Sequence, residues 1–254
     1  MTKNLYDDIL WSIPEQKTGT LTVIGGNSQN FSSVVRIAEQ LGHYPIKDLR
    51  LLLPDALQGK LPVLPNVNFA KSTESGSFAK SAALTAAISD TDLTLLAGDF
   101  SKNSATAIAI TEALQKTEKT VVIARDSVDL INEEMPNLIE KPGLVFVASM
   151  AQLQKLLRAV YYPKMLLLSM PLLPAIEILH KFTLSYPCTI LTFHNENIII
   201  ANSGKTETIP LTKTNYTPLS LWAGTLASKV AALNLWNPGQ TYAATIAAVH
   251  WNAR

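Results

Sequence analysis

Short apolar runs alternate along the chain with stretches whose apolar residues recur every three or four positions. The runs at 20–24, 49–53, 93–97, 120–124, 144–147 and 165–169 have the length and composition of buried strands. After the first run, Phe31, Val34, Val35, Ala38 and Leu41 fall on one face of a helix that Gly42 is expected to close. The same spacing predicts helices over 77–89, 104–115, 128–133, 150–160, 174–182, 218–234 and 240–251. Strands alternating with helices imply βαβ units, a mainly parallel sheet and helices on both of its faces. Three later runs, 189–193, 197–201 and 205–210, are joined by the turn pairs Asn195-Glu196 and Ser203-Gly204 and predict an antiparallel edge. The proline-rich stretch 59–73 reads as loop and short edge structure. No linker, repeat or low-complexity tract divides the chain, so one domain over 1–254 is expected, with 1–19 as an N-terminal extension.

Composition narrows the function classes. Hydrophobic residues make up 47% of the 254 residues, enough for a sizeable core. A net charge of +1 leaves no electrostatic footprint for nucleic acid and no basic cluster for an anionic membrane. The single cysteine, Cys188, excludes an internal disulfide and a cysteine-cluster metal site. It lies in an apolar run, where a buried, inert thiol is expected. Residues 1–11 carry Asp7 and Asp8 and do not form a secretory signal. The greasiest stretch, 165–179, is interrupted by Pro171, Pro174 and Glu177 and is too short to span a bilayer. A reducing cytoplasm fits these features.

In open parallel sheets, ligands bind beyond the carboxyl ends of the strands. Gly25-Gly26-Asn27 lies at such an end, but without the spacing of a dinucleotide fingerprint a plain strand-to-helix turn explains it as well. Asp99, Asp126 and Asp129 are the acids at these ends. Paired carboxylates there can hold a metal or move a proton, whereas Asp126 is also well placed to cap the helix that follows it. His194 ends an apolar strand with no partner in sequence and reads as a structural histidine; His43, His180 and His250 are isolated too. No cluster with metal-ligand spacing appears, so no metal ligands are assigned. Thr217-Pro218 is a good helix start, with threonine as cap and proline in the first turn. Any such start attracts anions through its free N–H groups.

Several segments together resemble the ADP/ATP-dependent NAD(P)H-hydrate dehydratases of the ribokinase-like superfamily. The family's opening strand and G-G-S loop are similar to 21–27, ending Gly25-Gly26-Asn27. Its I-G-P-G-L-G strand end is similar to 95–100, with Gly98-Asp99-Phe100. Its V-L-D-A-D-A-L-N-L segment falls on 122–130, L-T-P-H-P-G-E-F-A-R-L on 146–156, and the terminal G-[ST]-G-D-V-L-A-G on Thr217 to Gly224. The resemblance runs in order from about residue 20 to 251. It implies a three-layer α/β/α ribokinase-like fold, ADP or ATP with magnesium as cofactor, and a nucleotide-type ligand. It also implies a candidate binding set of Gly25, Gly26, Asn27, Gly98, Ser149, Gln152, His194, Thr217, Ser220 and Gly224.

The departures from the family pattern bear on activity. The motif's general base falls on Ser220, which takes no proton near neutral pH without a base of its own. Thr217 and Leu219 replace its glycines, and Pro218 removes an N–H. The histidine and glutamate of T-P-H-P-G-E fall on Ser149 and Gln152, the first aspartate of D-A-D on Ala124, the late-strand lysine near His194, and a loop glycine near Phe100. Family chemistry transfers a phosphoryl group to the hydrate hydroxyl before elimination and so needs charge at the phosphate. The reading that follows is a catalytically impaired relative that binds at most a nucleotide or small molecule. One alternative is an active dehydratase, a carbon–oxygen lyase, that uses Asp99, Asp126 or Asp129 instead. The other is an interaction protein whose pocket is filled by Phe100, Leu219 and Trp222. Exposed apolar helices would suit a homo-oligomer.

Overall fold

The computed structural model describes residues 6–61 and 66–252. Its sheet has the order β3-β2-β1-β4-β5-β6-β7-β8-β9. Strands β1 (Thr18–Gly25), β2 (Ile46–Pro54), β3 (Val67–Ala70), β4 (Leu93–Gly98), β5 (Thr120–Ala124), β6 (Leu144–Val147) and β7 (Cys188–His194) are parallel. Strands β8 (Asn197–Asn202) and β9 (Lys205–Pro210) complete it antiparallel. β4 and β7 are buried along their whole length, as strands covered on both faces must be. Alternate residues serve opposite cores: Leu93, Leu95 and Ala97 face one, and Leu96 faces the other.

The first core is roofed by α1 (Asp7–Trp11), α2 (Ser32–Gly42), α8 (Leu219–Ala223), α9 (Thr225–Trp236) and α10 (Thr241–His250). The second is roofed by α3 (Ala82–Ser89), α4 (Ser104–Leu114), α5 (Ser127–Leu130), α6 (Met150–Ala159) and α7 (Leu172–Ser185). The expected three-layer α/β/α arrangement with an antiparallel edge is therefore observed. Both edge turns place two residues at positive φ, Asn195 (43°) with Glu196 (59°) and Ser203 (48°) with Gly204 (71°). That geometry matches the twist of a two-residue hairpin.

Four local expectations differ from the structure. Residues 165–169 form no strand; Leu166 is buried, whereas Met165, Leu167 and Leu168 are exposed, so the apolar run marks an irregular turn. The helix expected over 77–89 starts at Ala82, with the Ser81 hydroxyl accepting the Leu84 N–H at 3.3 Å. Gly42 is the last residue of α2, and His43 is its cap. The long helix expected over 218–234 is two helices, broken at Gly224, whose φ of 79° is left-handed. A Cβ on Gly224 would collide with the end of Ile37, so the break and the packing of α2 both need glycine. Among the described residues, no helix is long and apolar enough to cross a membrane.

Cys188 is buried, and burial pushes its thiol pKa up to about 12. It is expected to resist an aromatic disulfide reagent in the native protein and to react fully in urea. Rapid native labelling would show that the β7 environment is open.

Candidate functional site

The strand order reverses between β1 and β4, so their carboxyl ends open the crevice in which such sheets place ligands. Here the crevice is knitted to itself. The Gly26 N–H donates to the Gly98 carbonyl at 2.9 Å, and a Cβ on Gly25 would collide with that same carbonyl. The Asn27 amide donates to the Asp99 carbonyl at 2.6 Å, while its oxygen accepts the N–H groups of Gln29 (2.9 Å) and Asn30 (3.1 Å). Gly25 and Gly26 thus serve a close approach of β1 to β4.

The acids are engaged as well. Asp99 and Arg125 both sit at positive φ, 57° and 58°, a region that costs a non-glycine residue roughly 1–2 kcal/mol. Their side chains form a largely buried ion pair at 2.9 Å, and Arg125 also donates to the Ala97 carbonyl at 3.3 Å. The second Asp99 oxygen accepts the Ser33 N–H at 3.0 Å, in the first turn of α2.

Asp126 makes no capping bond to α5, contrary to its sequence reading. Its carboxylate accepts the N–H groups of Asp99 (2.9 Å) and Phe100 (3.0 Å) instead, and a Cβ on Gly98 would meet it. Burial pushes the Asp126 pKa above the usual carboxylate value, against the pull of the Asp99 N–H and of Arg125. Asp129 accepts from Lys155 at 2.6 Å and from the Gln152 amide at 2.7 Å. Gln152 also donates to the Arg125 carbonyl and closes a reciprocal capping box with Ser149 at the start of α6.

These carboxylates do not fit the magnesium that accompanies ATP in the family resemblance. The Asp126 oxygens face N–H donors, and those of Asp99 and Asp129 are shared with cations and donors. A hard cation needs oxygen lone pairs turned toward it.

On the far side of the crevice, α8 carries Ser220, the residue on which the sequence resemblance puts the general base. The Ser220 hydroxyl accepts the Thr217 N–H at 3.0 Å, and no imidazole or carboxylate among the described residues bonds to it. Thr217, Pro218 and Leu219 are exposed. One flank of α8 borders a small cavity of about 180 Å³ lined in part by Ser149, His194, Glu196, Pro218 and Trp222. The buried His194 ring is bonded to the Met170 carbonyl at 2.8 Å, which ties β7 to the irregular turn. Ser220 itself lines a larger, open cavity of about 570 Å³ whose walls are mostly polar. Leu219 and Trp222 are 74% and 46% exposed, so they do not plug the site as expected. Phe100 is buried against Phe78, at 5.7 Å between ring centres. Arg125, which centres the network, sits within the sequence motif over 122–130 but gave no signal of its partner 26 residues away.

No protein-family model matches the sequence, and no curated protein is similar enough to match. Solved structures do match in shape. A ribokinase-like superfamily protein from Enterococcus faecalis V583 aligns with a TM-score of 0.69 at 16% identity, over 94% of this chain and 83% of that one. The ADP/ATP-dependent NAD(P)H-hydrate dehydratase from Bacillus subtilis, co-crystallized with ATP/Mg2+ and soaked with CoA, aligns at 0.63 and 11% identity, over 96% and 84%. Ribokinase from Thermotoga maritima aligns at 0.53 and 13%, over 91% and 92%. The chain has the ribokinase-like fold.

Proposed function

We propose that this chain is a single ribokinase-like domain that binds a nucleotide or related small molecule at the carboxyl ends of its strands and carries out no phosphoryl transfer or dehydration. The observation that carries the reading is the engagement of the three aspartates at the strand ends, Asp99, Asp126 and Asp129. Asp99 is paired with Arg125, Asp126 with backbone N–H groups and Asp129 with Lys155, while Ser220 stands at the base position without a base. A general base must turn a lone pair toward its proton, and these three carboxylates are turned toward cations and N–H donors instead. Binding is supported by the fold and by the open cavities beside α8. Among proteins of this shape, the Bacillus subtilis dehydratase was crystallized with ATP/Mg2+ and a pyridoxal kinase from the same organism with ADP. The candidate contacts remain Gly25, Gly26, Asn27, Gly98, Ser149, Gln152, His194, Thr217, Ser220 and Gly224. Relocation of the chemistry to Asp99, Asp126 or Asp129 would require breaking their present bonds.

Calorimetric titration with ADP, ATP, NADH and NADPH is expected to show binding of at least one. Hydrated NADH or NADPH, supplied with ADP or ATP and magnesium, is expected to turn over no faster than without protein. Ser220→Asp is expected to leave that unchanged, because Pro218 still lacks an N–H and Thr217 and Leu219 still carry side chains. Turnover by the unaltered protein at the rate of an active dehydratase would end the reading.

A further inference from the structure

The segment between α6 and α7 is pinned to the fold yet turns apolar side chains to solvent. Leu166 is buried in the second core, and the Met170 carbonyl is bonded to the His194 ring at 2.8 Å and the Asn195 amide at 3.1 Å. Around these anchors Tyr161, Met165, Leu167, Leu168 and Leu173 are exposed. Together they bare on the order of 500 Å² of mostly apolar surface, the scale at which an exposed patch marks an interaction site.

Tyr161 separates display from packing. Helix α6 ends in a Schellman turn, in which the Tyr162 N–H donates to the Leu157 carbonyl at 2.9 Å and the Tyr161 N–H to the Arg158 carbonyl at 3.1 Å. The left-handed residue of such a turn is ordinarily glycine; here it is Tyr161, at a φ of 53°. Tyr161 is 90% exposed, so it strains the backbone and returns almost no packing. The fold gains nothing from a tyrosine at this position, whereas a contact outside the chain would.

Beside Tyr161 lies a slot of about 290 Å³, walled by Leu157, Tyr162, Met165 and Leu166, with Arg158 and Lys164 also in its lining. No Asp or Glu lines it. The neighbouring cations Lys155 and Lys181 are paired with Asp129 and Glu177. Among the described residues, Arg158 and Lys164 form no ion pair. Glu177 feels the charge of Lys164 but is bonded to Lys181 and lies outside the slot. Apolar walls with two uncompensated positive charges call for an apolar group next to negative ones. A slot of this shape receives a side chain, which a lipid surface does not supply.

We infer that this face docks a segment of another protein in which a large apolar side chain is flanked by carboxylates. The apolar side chain fills the slot between Tyr161 and Met165, and the carboxylates meet Arg158 and Lys164. None of the slot's residues is among the strand-end contacts, so the surface stands whether or not a nucleotide binds there.

A random twelve-residue peptide library displayed on phage, selected on the full chain and counter-selected on Met165→Asp, tests the assignment. It is expected to enrich sequences with Leu, Phe or Trp flanked by Asp or Glu. The most enriched sequence, made as a fluorescein-labelled peptide and titrated by anisotropy, is expected to bind more weakly as salt is added. Lys164→Glu is expected to weaken it about tenfold or more, through like-charge repulsion. Tyr161→Gly is expected to raise the urea midpoint of the protein while weakening the peptide about fivefold or more, a split that a structural role would not give. Ile108→Asp, at an exposed position on α4, is expected to bind as the unaltered protein does. Enrichment of basic or uncharged sequences, or of none that needs Met165, would overturn the assignment. So would a dimer in sedimentation equilibrium that Met165→Asp dissolves, or flotation with phosphatidylcholine–phosphatidylglycerol vesicles that Met165→Asp abolishes.

Discussion

Arg125→Met is expected to lower the unfolding free energy by about 3–5 kcal/mol, because it strands the buried Asp99 carboxylate without its partner. The ion pair is nine-tenths buried on the arginine side, so solvent cannot replace the lost charge. The damage would spread, since Asp99 also holds the Ser33 N–H at the start of α2 and Arg125 reaches the Ala97 carbonyl. Two left-handed residues are stabilised by this one contact. Urea denaturation should show a lower midpoint with an unchanged slope. Combining Arg125→Met with Asp99→Asn should cost less than the two separate losses added together. A loss below about 1 kcal/mol, the scale of an exposed ion pair, would mean that water reaches the pair in solution.

Asp126→Ala is expected to cost about 2–4 kcal/mol, since the N–H groups of Asp99 and Phe100 lose their acceptor in a buried loop. Asp126→Asn keeps one acceptor and should lose about half as much. The pH dependence has a definite sign. Burial raises the folded-state pKa of Asp126, so the folded protein holds that proton more tightly than the unfolded chain. The associated stability is full below the unfolded pKa and is lost as pH rises through the folded one. The advantage of the native protein over Asp126→Asn should therefore grow as the solution is acidified from neutrality into the carboxylate range. An advantage that shrinks on acidification would show that the two N–H bonds outweigh burial.

Much of the fold is legible in the sequence because its signals are local. The buried runs of β4 and β7 cannot be satisfied on a half-exposed face, and the pairs Asn195-Glu196 and Ser203-Gly204 belong to tight turns. Residues 165–169 mislead because hydrophobicity alone does not say whether a residue finds a core to enter; Met165 and Leu168 do not. Gly224 lies inside an apolar helical pattern, where a lone glycine is a recognised warning, but the need for it comes from Ile37 on another helix.

The candidate site is less legible for the same reason. Asp126 has the local signature of a cap, yet it bonds to the preceding strand's loop, a contact no spacing rule describes. Lys229 and His250 are brought together by the return of α10 along α9, and singly each reads as an ordinary surface cation or isolated histidine.

The outermost strand, β9, limits how this sheet can be extended. Its outward-leaning positions carry Lys205 and Glu207, and Pro210 ends it without an N–H. An incoming strand from a neighbouring chain would have to desolvate charges and forgo a ladder bond, so edge-to-edge growth is blocked on this side. The protection is written into six residues, and it guards a border whose next inner strand, Asn197–Asn202, has four fully apolar side chains in succession.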